Sequence, residues 1–458
     1  MARTINSWWR RAVLAALVVG AAGGGAATAG PATASVPAGG ATITVPTDYV
    51  TIQEAVDAAA PGDLVLVEPG VYHEAVDVLV DNVTIRGLDR NSTILDGEFE
   101  LDNGIRVFAD GVAVENLTAM NYSANGFFWT GVDGYRGSYL TAYRIGDYGL
   151  YAFDSTHGQF EHSWAAGSPD AGFYIGQCFP CDAVIDNVES LHNGLGYSGT
   201  NSGGNLLIVN SSFHHNRAGV VPNSGTYELC YPSRETTVVG NVVYSNNQPD
   251  TPAIEAAMLA MGNGILLAGA YDATVARNRV WDHDVTGIAA VPFPEEFPSD
   301  DIPAGDELAL LCDEHRELPL NTEPGDLLVW EAFGNSVTGN AVSDSRVADL
   351  AVGALGDGAA LGNCFSDNDF ATSAPADLES LAPCDGEGEG DWTVDPLDLG
   401  ALVAAEQPPS VDYEVAELPE LPELDNMPDA ATAPPAPAVD MPRSVDVDAI
   451  EVPPVPEV

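Results

Sequence analysis

Two apolar residues, one variable residue and an asparagine recur along the chain as a short cassette. From Asn187 to Asn210, and again from Asn340 to Asn363, the step between copies is 23 residues. A repeat of this length is too short for a pair of helices with their loops, but it accommodates three short strands joined by polar turns. We therefore predict a solenoid in which each repeat forms one rung. The copies end at Asn116, Asn187, Asn210, Asn241, Asn278, Asn340 and Asn363.

A second asparagine follows two of the copies at the same distance: Asn193 follows Asn187, and Asn216 follows Asn210. In a solenoid of strands, each strand pairs with the rungs above and below it at a spacing of about 4.8 Å. Apolar side chains then fill a narrow core, and equivalent asparagines stack into ladders along the axis. The pattern predicts an all-β, single-stranded solenoid of roughly ten rungs.

This pattern resembles the right-handed parallel β-helix repeats of the pectin-lyase-like superfamily, over roughly residues 43–370. The resemblance implies a right-handed parallel β-helix. It implies no single activity, because that superfamily includes lyases, hydrolases, esterases, epimerases and binding proteins. The opening segment is similar to that of pectinesterases, but the catalytic motifs of those enzymes and of polygalacturonases do not follow it, so no catalytic residue is carried over.

The two ends of the chain differ from the repeats. Residues 1–34 read as a signal peptide, because Arg3, Arg10 and Arg11 precede an apolar run too short to span a bilayer. The Arg10-Arg11 pair leaves twin-arginine export open beside the general secretory route. We predict a short linker at 35–42, the β-helix at 43–371 and a secreted or cell-surface protein with no membrane span after signal cleavage.

A helix and a tail are predicted to flank the solenoid. Thr51 and Glu54 form a capping-box pattern at the start of a short helix that would cover the open N-terminal end of the solenoid. Residues 372–458 are rich in Pro, Ala, Asp and Glu, so we predict a disordered acidic tail that is available for contact with the cell envelope.

The net charge and the choice of basic residues argue against some classes of function. The chain has 68 acidic and 15 basic residues, for a formal net charge of -53, and every basic residue is arginine. The absence of lysine excludes Schiff-base chemistry, and the lack of a basic face argues against a nucleic-acid partner. No cofactor is required by any motif. Two interpretations of the acidity stay open: a surface adapted to high salt, and carboxylate clusters that hold Ca²⁺.

Long insertions follow the Gly-apolar strand of several repeats. Equivalent turns of a solenoid stack on one side, so these insertions should form one raised edge, with 248–263 forming a second wall and a groove between the two. We take the ranges 176–182, 198–205, 222–237, 269–273 and 292–325 as the raised edge.

All six cysteines lie beyond the signal peptide, an even number in an oxidising compartment, which favours disulfides. Cys230 and Cys312 lie in long loops of the raised edge, two rungs apart, and we predict that they pair. The remaining pairs would be Cys178 with Cys181 and Cys364 with Cys384. A redox dithiol or a zinc site at the Cys178–Cys181 motif is the alternative.

Histidines provide the candidate chemistry. His192, His215 and His283 each follow a cassette asparagine by five residues. We consider His215 or His283 as a catalytic base with Asp282 as an orienting carboxylate, and Arg217 or Ca²⁺ to neutralise a uronic acid. The alternative is structural, since a histidine stacks in a ladder much as an asparagine does. A slip of one residue would move His283 into the ladder and away from His215.

Aromatic residues provide candidate sugar contacts. Strand alternation should leave some rings of the run from 127 to 153 on the outer face, where they can stack on sugars. We predict substrate contacts from His192, Tyr197, Tyr139 and Trp129, with core filling as the alternative for such rings.

Three functions follow from these observations. The first is an exported β-helix protein that binds an extended polysaccharide or cell-surface glycan. The second is a polysaccharide lyase or uronate C5-epimerase with a histidine base. The third is a copper- or zinc-associated exported β-helix protein.

Overall fold

The structure is a computed structural model that describes residues 40–319, 325–435 and 446–456. The predicted signal peptide at 1–34 and most of the predicted linker lie outside these residues. Within the described ranges, no helix has the length and apolar character needed to cross a bilayer.

Three parallel sheets form the body of the described chain, and each turn of the backbone contributes strands to them in the same order. Sheet 1 has 12 strands in the described chain. They are β1 (Thr42–Val45), β2 (Leu64–Val67), β5 (Thr84–Gly87), β8 (Val112–Glu115), β11 (Asp133–Ser138), β14 (Thr156–Glu161), β17 (Ala183–Asp186), β20 (Gly203–Val209), β23 (Arg234–Val239), β26 (Thr274–Ala276), β31 (Ser336–Thr338) and β34 (Cys364–Ser366).

Sheet 2 has 10 strands among the described residues. They are β3 (Gly70–Tyr72), β6 (Thr93–Asp96), β9 (Thr118–Met120), β12 (Thr141–Tyr143), β15 (Trp164–Ala166), β18 (Glu189–Leu191), β21 (Ser212–His214), β24 (Val242–Tyr244), β27 (Arg279–His283) and β32 (Ala341–Ser345).

Sheet 3 has 11 strands in the same described ranges. They are β4 (Val76–Val78), β7 (Asn103–Val107), β10 (Asn125–Thr130), β13 (Tyr148–Phe153), β16 (Ala171–Gly176), β19 (Leu195–Thr200), β22 (Ala218–Asn223), β25 (Ile265–Ala268), β28 (Thr286–Val291), β33 (Ala348–Val352) and β35 (Ser373–Ala374). An antiparallel hairpin, β29 (Phe293–Glu296) and β30 (Leu327–Trp330), projects from the body.

Helices are short and lie at the ends and in loops. The predicted N-terminal helix is α1 (Ile52–Ala58), and the side chain of Thr51 accepts a hydrogen bond from the Glu54 amide. Ile52 and Val56 are buried against the first rungs, so α1 covers that end of the core. The other helices are α2 (Glu255–Leu259), α3 (Cys312–Arg316), α4 (Leu378–Leu381) and α5 (Leu399–Ala404), with 3-10 turns at Gly305–Ala309, Gly358–Leu361 and Val447–Ala449.

Polar ladders run inside the turns, as predicted. Between sheets 2 and 3, the side-chain amide of Asn193 donates to Asn216, and that of Asn216 donates to Asn246. Asn246 donates in turn to Nε2 of His283 at 3.3 Å, so His283 is the next member of this ladder. A second ladder, between sheets 1 and 2, joins Asn241, Asn278, Asn340 and Asn368.

Four cassette copies, which end at Asn116, Asn187, Asn210 and Asn363, depart from the predicted register. Asn187 and Asn210 lie one position outside the ladder that Asn241 joins, and both adopt positive φ. Asn363 belongs to a third ladder, between sheets 3 and 1, where Asn335 donates to it. The cassette pattern therefore identifies the rungs, but a one-residue shift within the turn decides which side chain faces inward.

The long insertions occupy the predicted sides. Those that follow sheet 3 strands stack along the junction with sheet 1, whereas 248–263 with α2 lies at the junction of sheets 2 and 3. The three disulfides are the predicted pairs, Cys178–Cys181, Cys230–Cys312 and Cys364–Cys384. Within the raised edge, Cys230–Cys312 joins the insertion at 222–237 to α3 in the insertion at 292–325.

The C-terminal segment differs from the predicted disordered tail. Its described residues from 397 onward, which we call the tail strap, lie against the solenoid. Arg217 donates to the carbonyl oxygens of Pro408 and Pro409 at 2.7 and 2.8 Å, and Arg144 donates to those of Tyr413 and Ala416. A proline-rich chain has few amide donors but keeps its carbonyl acceptors, and arginine forks supply the donors.

Apolar contacts complete the fixation of the tail strap. Leu421 and Leu424 pack on Trp164 and Leu191 of sheet 2. Nearer the end of the chain, Val447 and Ile450 pack on sheet 1 beside residues such as Val209. Composition alone therefore underestimated the order of this segment, because its partners are on the solenoid and not within the tail.

Candidate functional site

The candidate site is the outer face of sheet 3, between the two loop walls. One wall is the segment 224–233 of the raised edge. The Glu295 carboxylate holds this segment in place, because it accepts a hydrogen bond from the Thr226 amide at 2.9 Å and another from the Trp330 indole. The other wall is 248–263, whose Ile254 amide donates to the carbonyl oxygen of Pro169. The sheet between them forms the floor of a groove.

Aromatic rings line this floor in strand register. Phe128, Tyr151 and Tyr174 are paired across neighbouring strands, so their side chains follow one another along the solenoid axis. The rings of Phe128 and Tyr151 stack with centroids 4.5 Å apart, and Tyr151 stacks on Tyr148 at 4.3 Å. Gly176 leaves room for Tyr174, since a Cβ at Gly176 would lie 2.3 Å from the Tyr174 hydroxyl.

Two aspartates lie on adjacent rungs at the sheet 2 side of the floor. The amide of Asp170 donates to the carbonyl oxygen of Asp147, which places the two residues at equivalent positions. Asp170 is only 7% exposed, and its carboxylate is hydrogen-bonded to Tyr148. Among the described residues, no cation contributes to the pKa shift of either carboxyl group.

A glutamate faces them from the raised-edge side. The hydroxyl of Tyr174 donates to Oε1 of Glu228 at 2.6 Å. The other carboxyl oxygen, Oε2, is buried and has no hydrogen-bond partner among the described residues. An unpartnered carboxyl oxygen at the edge of an aromatic floor is suited to a hydroxyl or glycosidic oxygen of a ligand.

Burial sets the protonation of these groups. It raises the pKa of Asp170 to about 7 and that of Glu228 to about 8. The negative charges of Asp170 and Asp154 also raise the pKa of Glu228. Burial and the nearby charge of Asp170 also raise the pKa of Asp147 well above its usual value. Carboxyl groups that titrate near neutral pH can donate or accept a proton during catalysis.

The floor continues in both directions along the axis. Above the rings, Thr200 and Tyr227 both donate to the side-chain oxygen of Asn223, at 2.8 and 2.9 Å. Below them, Arg106 is the strand neighbour of Phe128 and lines an open depression of about 250 Å³ with Asp77. The site is therefore elongated along the solenoid.

The predicted histidine strip lies elsewhere. His192 and His215 do come together, with ring centroids 5.8 Å apart and nearly parallel planes, but at the turn between sheets 2 and 3. Burial, with the charges of His215 and His214 added, lowers the pKa of His192 to about 4, and burial and His214 lower that of His215. Weakly basic imidazoles are poor proton acceptors.

His283 and Asp282, the predicted base and its orienting carboxylate, lie on opposite faces of the backbone. His283 is 2% exposed and takes the inward ladder position, which is the one-residue slip considered from the sequence. Burial lowers its pKa to about 3. Asp282 points outward and accepts from the Ser245 hydroxyl at 2.6 Å, with Ser245 between it and His215 along the axis. Asp282 therefore does not orient His283.

Arg217 cannot neutralise a substrate in this arrangement. Its side chain is fully buried, and its guanidinium donates to the carbonyl oxygens of Pro249, Thr251, Pro408 and Pro409. The arginine joins the tail strap to the wall at 248–263, which is a structural role.

Of the predicted sugar-contacting aromatics, two are in the core. Trp129 and Tyr197 are fully buried and point inward, because strand alternation places the outward positions at the adjacent Phe128 and Ser198. Tyr139 is half-buried at a turn and stacks on His162 at 4.6 Å, on the side of sheets 1 and 2. None of the three lies on the groove floor.

Metal binding finds no support in the described ranges, where no group of three or more His, Cys, Asp or Glu side chains is arranged to hold a metal ion. The six cysteines are all in disulfides, so Cys178 and Cys181 have no free thiolate for a zinc ion in this structure.

Sequence reasoning missed the carboxyl groups of the groove. Asp147 and Asp170 each precede a Gly-apolar strand by two residues and are 23 residues apart, so the repeat itself indicated that they stack. No comparable sequence pattern indicates the position of Glu228. Its position depends on the contact between Thr226 and Glu295, 69 residues apart, and on the disulfide at Cys230.

Comparisons with known proteins agree with the architecture. Residues 125–292 match the family model for the right-handed β-helix region. A search of curated proteins found no significant match.

Similar solved structures include the A-modules of the mannuronan C-5 epimerases AlgE4 and AlgE6 from Azotobacter vinelandii, each with 16% identity and a TM-score of 0.46. The alignments cover 69% and 71% of this chain and 90% and 94% of those chains. An alginate lyase from Paenibacillus sp. str. FPU-7 has 13% identity and a TM-score of 0.38, over 72% of this chain and 99% of that chain. With three parallel sheets, stacked ladders and the match to the right-handed β-helix region, the fold of this chain is a right-handed parallel β-helix.

Proposed function

We propose that the protein is an exported, carbohydrate-active enzyme that binds an extended glycan in the sheet 3 groove and processes it by acid–base catalysis. The observation that carries this proposal is the pair of carboxyl sites, Glu228 and Asp147–Asp170, on opposite sides of the tyrosine floor. Pairs of carboxyl groups with perturbed pKa values are the usual acid and base of glycan-processing sites.

The shape and chemistry of the floor support a glycan. Stacked rings offer apolar surface for sugar faces, and hydroxyl and amide groups at Thr200 and Asn223 offer hydrogen bonds to sugar hydroxyls. The axial length of the floor, from Arg106 to Asn223, suits a polymer better than a small ligand. Three disulfides favour an oxidising compartment, in line with export.

The test uses isosteric variants of the carboxyl groups. The full mature chain is incubated with a panel of polysaccharides, and new reducing ends, unsaturated sugars and sugar NMR spectra are followed. We expect turnover of at least one glycan, with a loss of about 10²-fold or more in Glu228→Gln and Asp170→Asn, as for removal of a general acid or base. Binding by these variants should survive.

His215→Ala is the matched control, because His215 lies outside the groove and its loss should leave turnover unchanged. Retention of a glycan with no turnover by the unaltered protein would make this a binding protein. Failure of the panel both to bind and to react would contradict the proposal.

A further inference from the structure

We infer that the glycan held in the sheet 3 groove is uncharged and that its bonds are cleaved by hydrolysis. The inference rests on the function proposed above and adds the substrate class and the reaction. It follows from the distribution of charge along the groove.

Carboxyl groups outnumber cations along the entire described groove. Its lower depression contains Glu100 and Asp102 beside Asp77, and its floor carries Asp147, Asp170 and Glu228. A uronate would be repelled by the carboxylates of the depression and would further disfavour the ionised forms of the floor carboxyl groups, in a partly water-excluded site where charges repel more strongly than in water.

The two arginines along the groove are already paired. Arg106 holds both carboxylate oxygens of Asp77 at 2.9 Å, a bidentate contact that uses two of its donors. Arg316 donates to Asp154 at 2.8 Å. A substrate carboxylate would therefore compete with an existing carboxylate at each described cation of the groove.

Other cations of the described chain have structural partners. Arg144 and Arg217 hold the tail strap, and Arg234 donates to the carbonyl oxygens of Leu308 and Leu310 in the raised edge. The sequence contains no lysine. No described cationic side chain is therefore placed to neutralise the carboxylate of a uronate at the carboxyl sites.

The type of reaction follows for a glycan that has neither a carboxyl group nor an ester at C6. Elimination and C5 epimerisation both remove the C5 proton, which such a group acidifies, and a plain neutral sugar lacks that group. In hydrolysis, the Glu228 carboxyl proton passes to the glycosidic oxygen as the C1–O bond breaks. The oxygen of a water molecule bonds to C1, and a proton of that water passes to the Asp147–Asp170 pair. The sum is one water consumed and one new reducing end.

The experiment uses matched ligands that differ only in charge. Manno-, cello- and galacto-oligosaccharides are compared with their C6-oxidised uronate forms and with the methyl esters of those uronates. Binding to Glu228→Gln is measured by calorimetry, and products of the unaltered chain are followed as reducing ends and as unsaturated uronate absorbance, with and without Ca²⁺.

We expect at least one neutral series to bind about tenfold or more tightly than its oxidised form, equivalent to about 1.4 kcal/mol. Methyl esterification should restore binding, and products should be reducing ends without unsaturation. Equal or tighter binding of the uronates, or unsaturated products, would overturn this inference and leave the proposed function standing. Binding of no glycan at all would overturn both.

Discussion

At the scale of single residues, Asp170 shows how the site is formed at a cost to stability. Its carboxyl is nearly buried beside Asp147 and has one described donor, Tyr148. Burial without a counter-ion favours the protonated form, which raises its pKa to about 7. A group that is held protonated by the fold stabilises the protein at low pH and opposes folding once it ionises.

We predict that stability falls as the pH rises through this range. The folded pKa of Asp170 exceeds the unfolded value, so the stability that it contributes is present in full below about pH 4 and is lost as the pH rises through about 7. Asp170→Asn should remove the part of this dependence that Asp170 contributes and stabilise the chain at about pH 8 by up to about 4 kcal/mol. Urea unfolding of both proteins at about pH 5 and about pH 8 measures the difference.

The control for this prediction is Asp282→Asn. Asp282 is exposed on the outside of the turn, so its replacement should leave the slope with pH unchanged. Equal pH dependence of Asp170→Asn and the unaltered protein would contradict the assigned burial effect.

Several residue positions could be derived from the sequence, and others could not. The ladder roles of Asn193 and Asn216 followed from spacing alone, because identical rungs place identical residues in line. The inward orientation of Trp129 could not be derived from spacing, because a shift of one residue in the turn exchanges the inward and outward positions along the next strand. For the same reason the sequence leaves two registers open for His283, and the structure has the one in the ladder.

At the scale of elements, the tail strap is the largest departure from expectation. Six arginines of the described solenoid hold it: Arg86, Arg90, Arg144, Arg217, Arg277 and Arg279. Its leucines cover apolar side chains that would otherwise lie on the outer face of sheet 2. The described tail strap contains one short helix, α5, a 3-10 turn at Val447–Ala449 and no strand, in keeping with its Pro-rich composition, but composition says nothing about contacts with a distant surface.

Removing the tail strap should therefore destabilise the solenoid. A chain ending after Pro396 keeps all three disulfides but exposes Trp164 and Leu191, so we expect a lower melting temperature and a tendency to aggregate. Arg217→Ala in the full chain should cost about 2–4 kcal/mol, because it leaves buried carbonyl oxygens without donors.

The matched control is Arg346→Ala. Arg346 is exposed and donates to the Asp284 carbonyl without touching the tail strap, so we expect a change within about 0.5 kcal/mol. Thermal unfolding followed by circular dichroism measures all three proteins. Unchanged melting of the truncated chain would show that the strap does not stabilise the solenoid.

The walls of the groove were predictable as elements although its chemistry was not. Insertion positions relative to the repeat placed both walls correctly, since equivalent turns stack on one side. The residues that the walls present, such as Glu228, depend on how each long loop folds, and repeat spacing contains no information about that.

At the scale of the whole molecule, the most prominent feature is the large negative charge. A net charge of -53 creates repulsion throughout the chain, and few of its carboxylates have an arginine partner. Such repulsion opposes the compact state and is screened by salt. The same acidity disfavours polyanionic ligands.

We predict that salt stabilises the protein. Between about 0.01 M and about 1 M NaCl, the screening length falls from about 30 Å to about 3 Å, so the melting temperature should rise over this range. Differential scanning calorimetry measures it, with sucrose as an uncharged control for solvent effects. A melting temperature that is independent of NaCl, or that falls, would contradict the prediction.

The most direct test of the proposed site is a crystal structure of Glu228→Gln with a neutral oligosaccharide that it binds. The account predicts sugar rings along sheet 3, stacked over Tyr151 and Phe128, with a glycosidic oxygen beside residue 228 and the Asp147–Asp170 pair on the far side. Oligosaccharide bound instead against His192 and His215, or on sheet 2, with the groove empty, would contradict it.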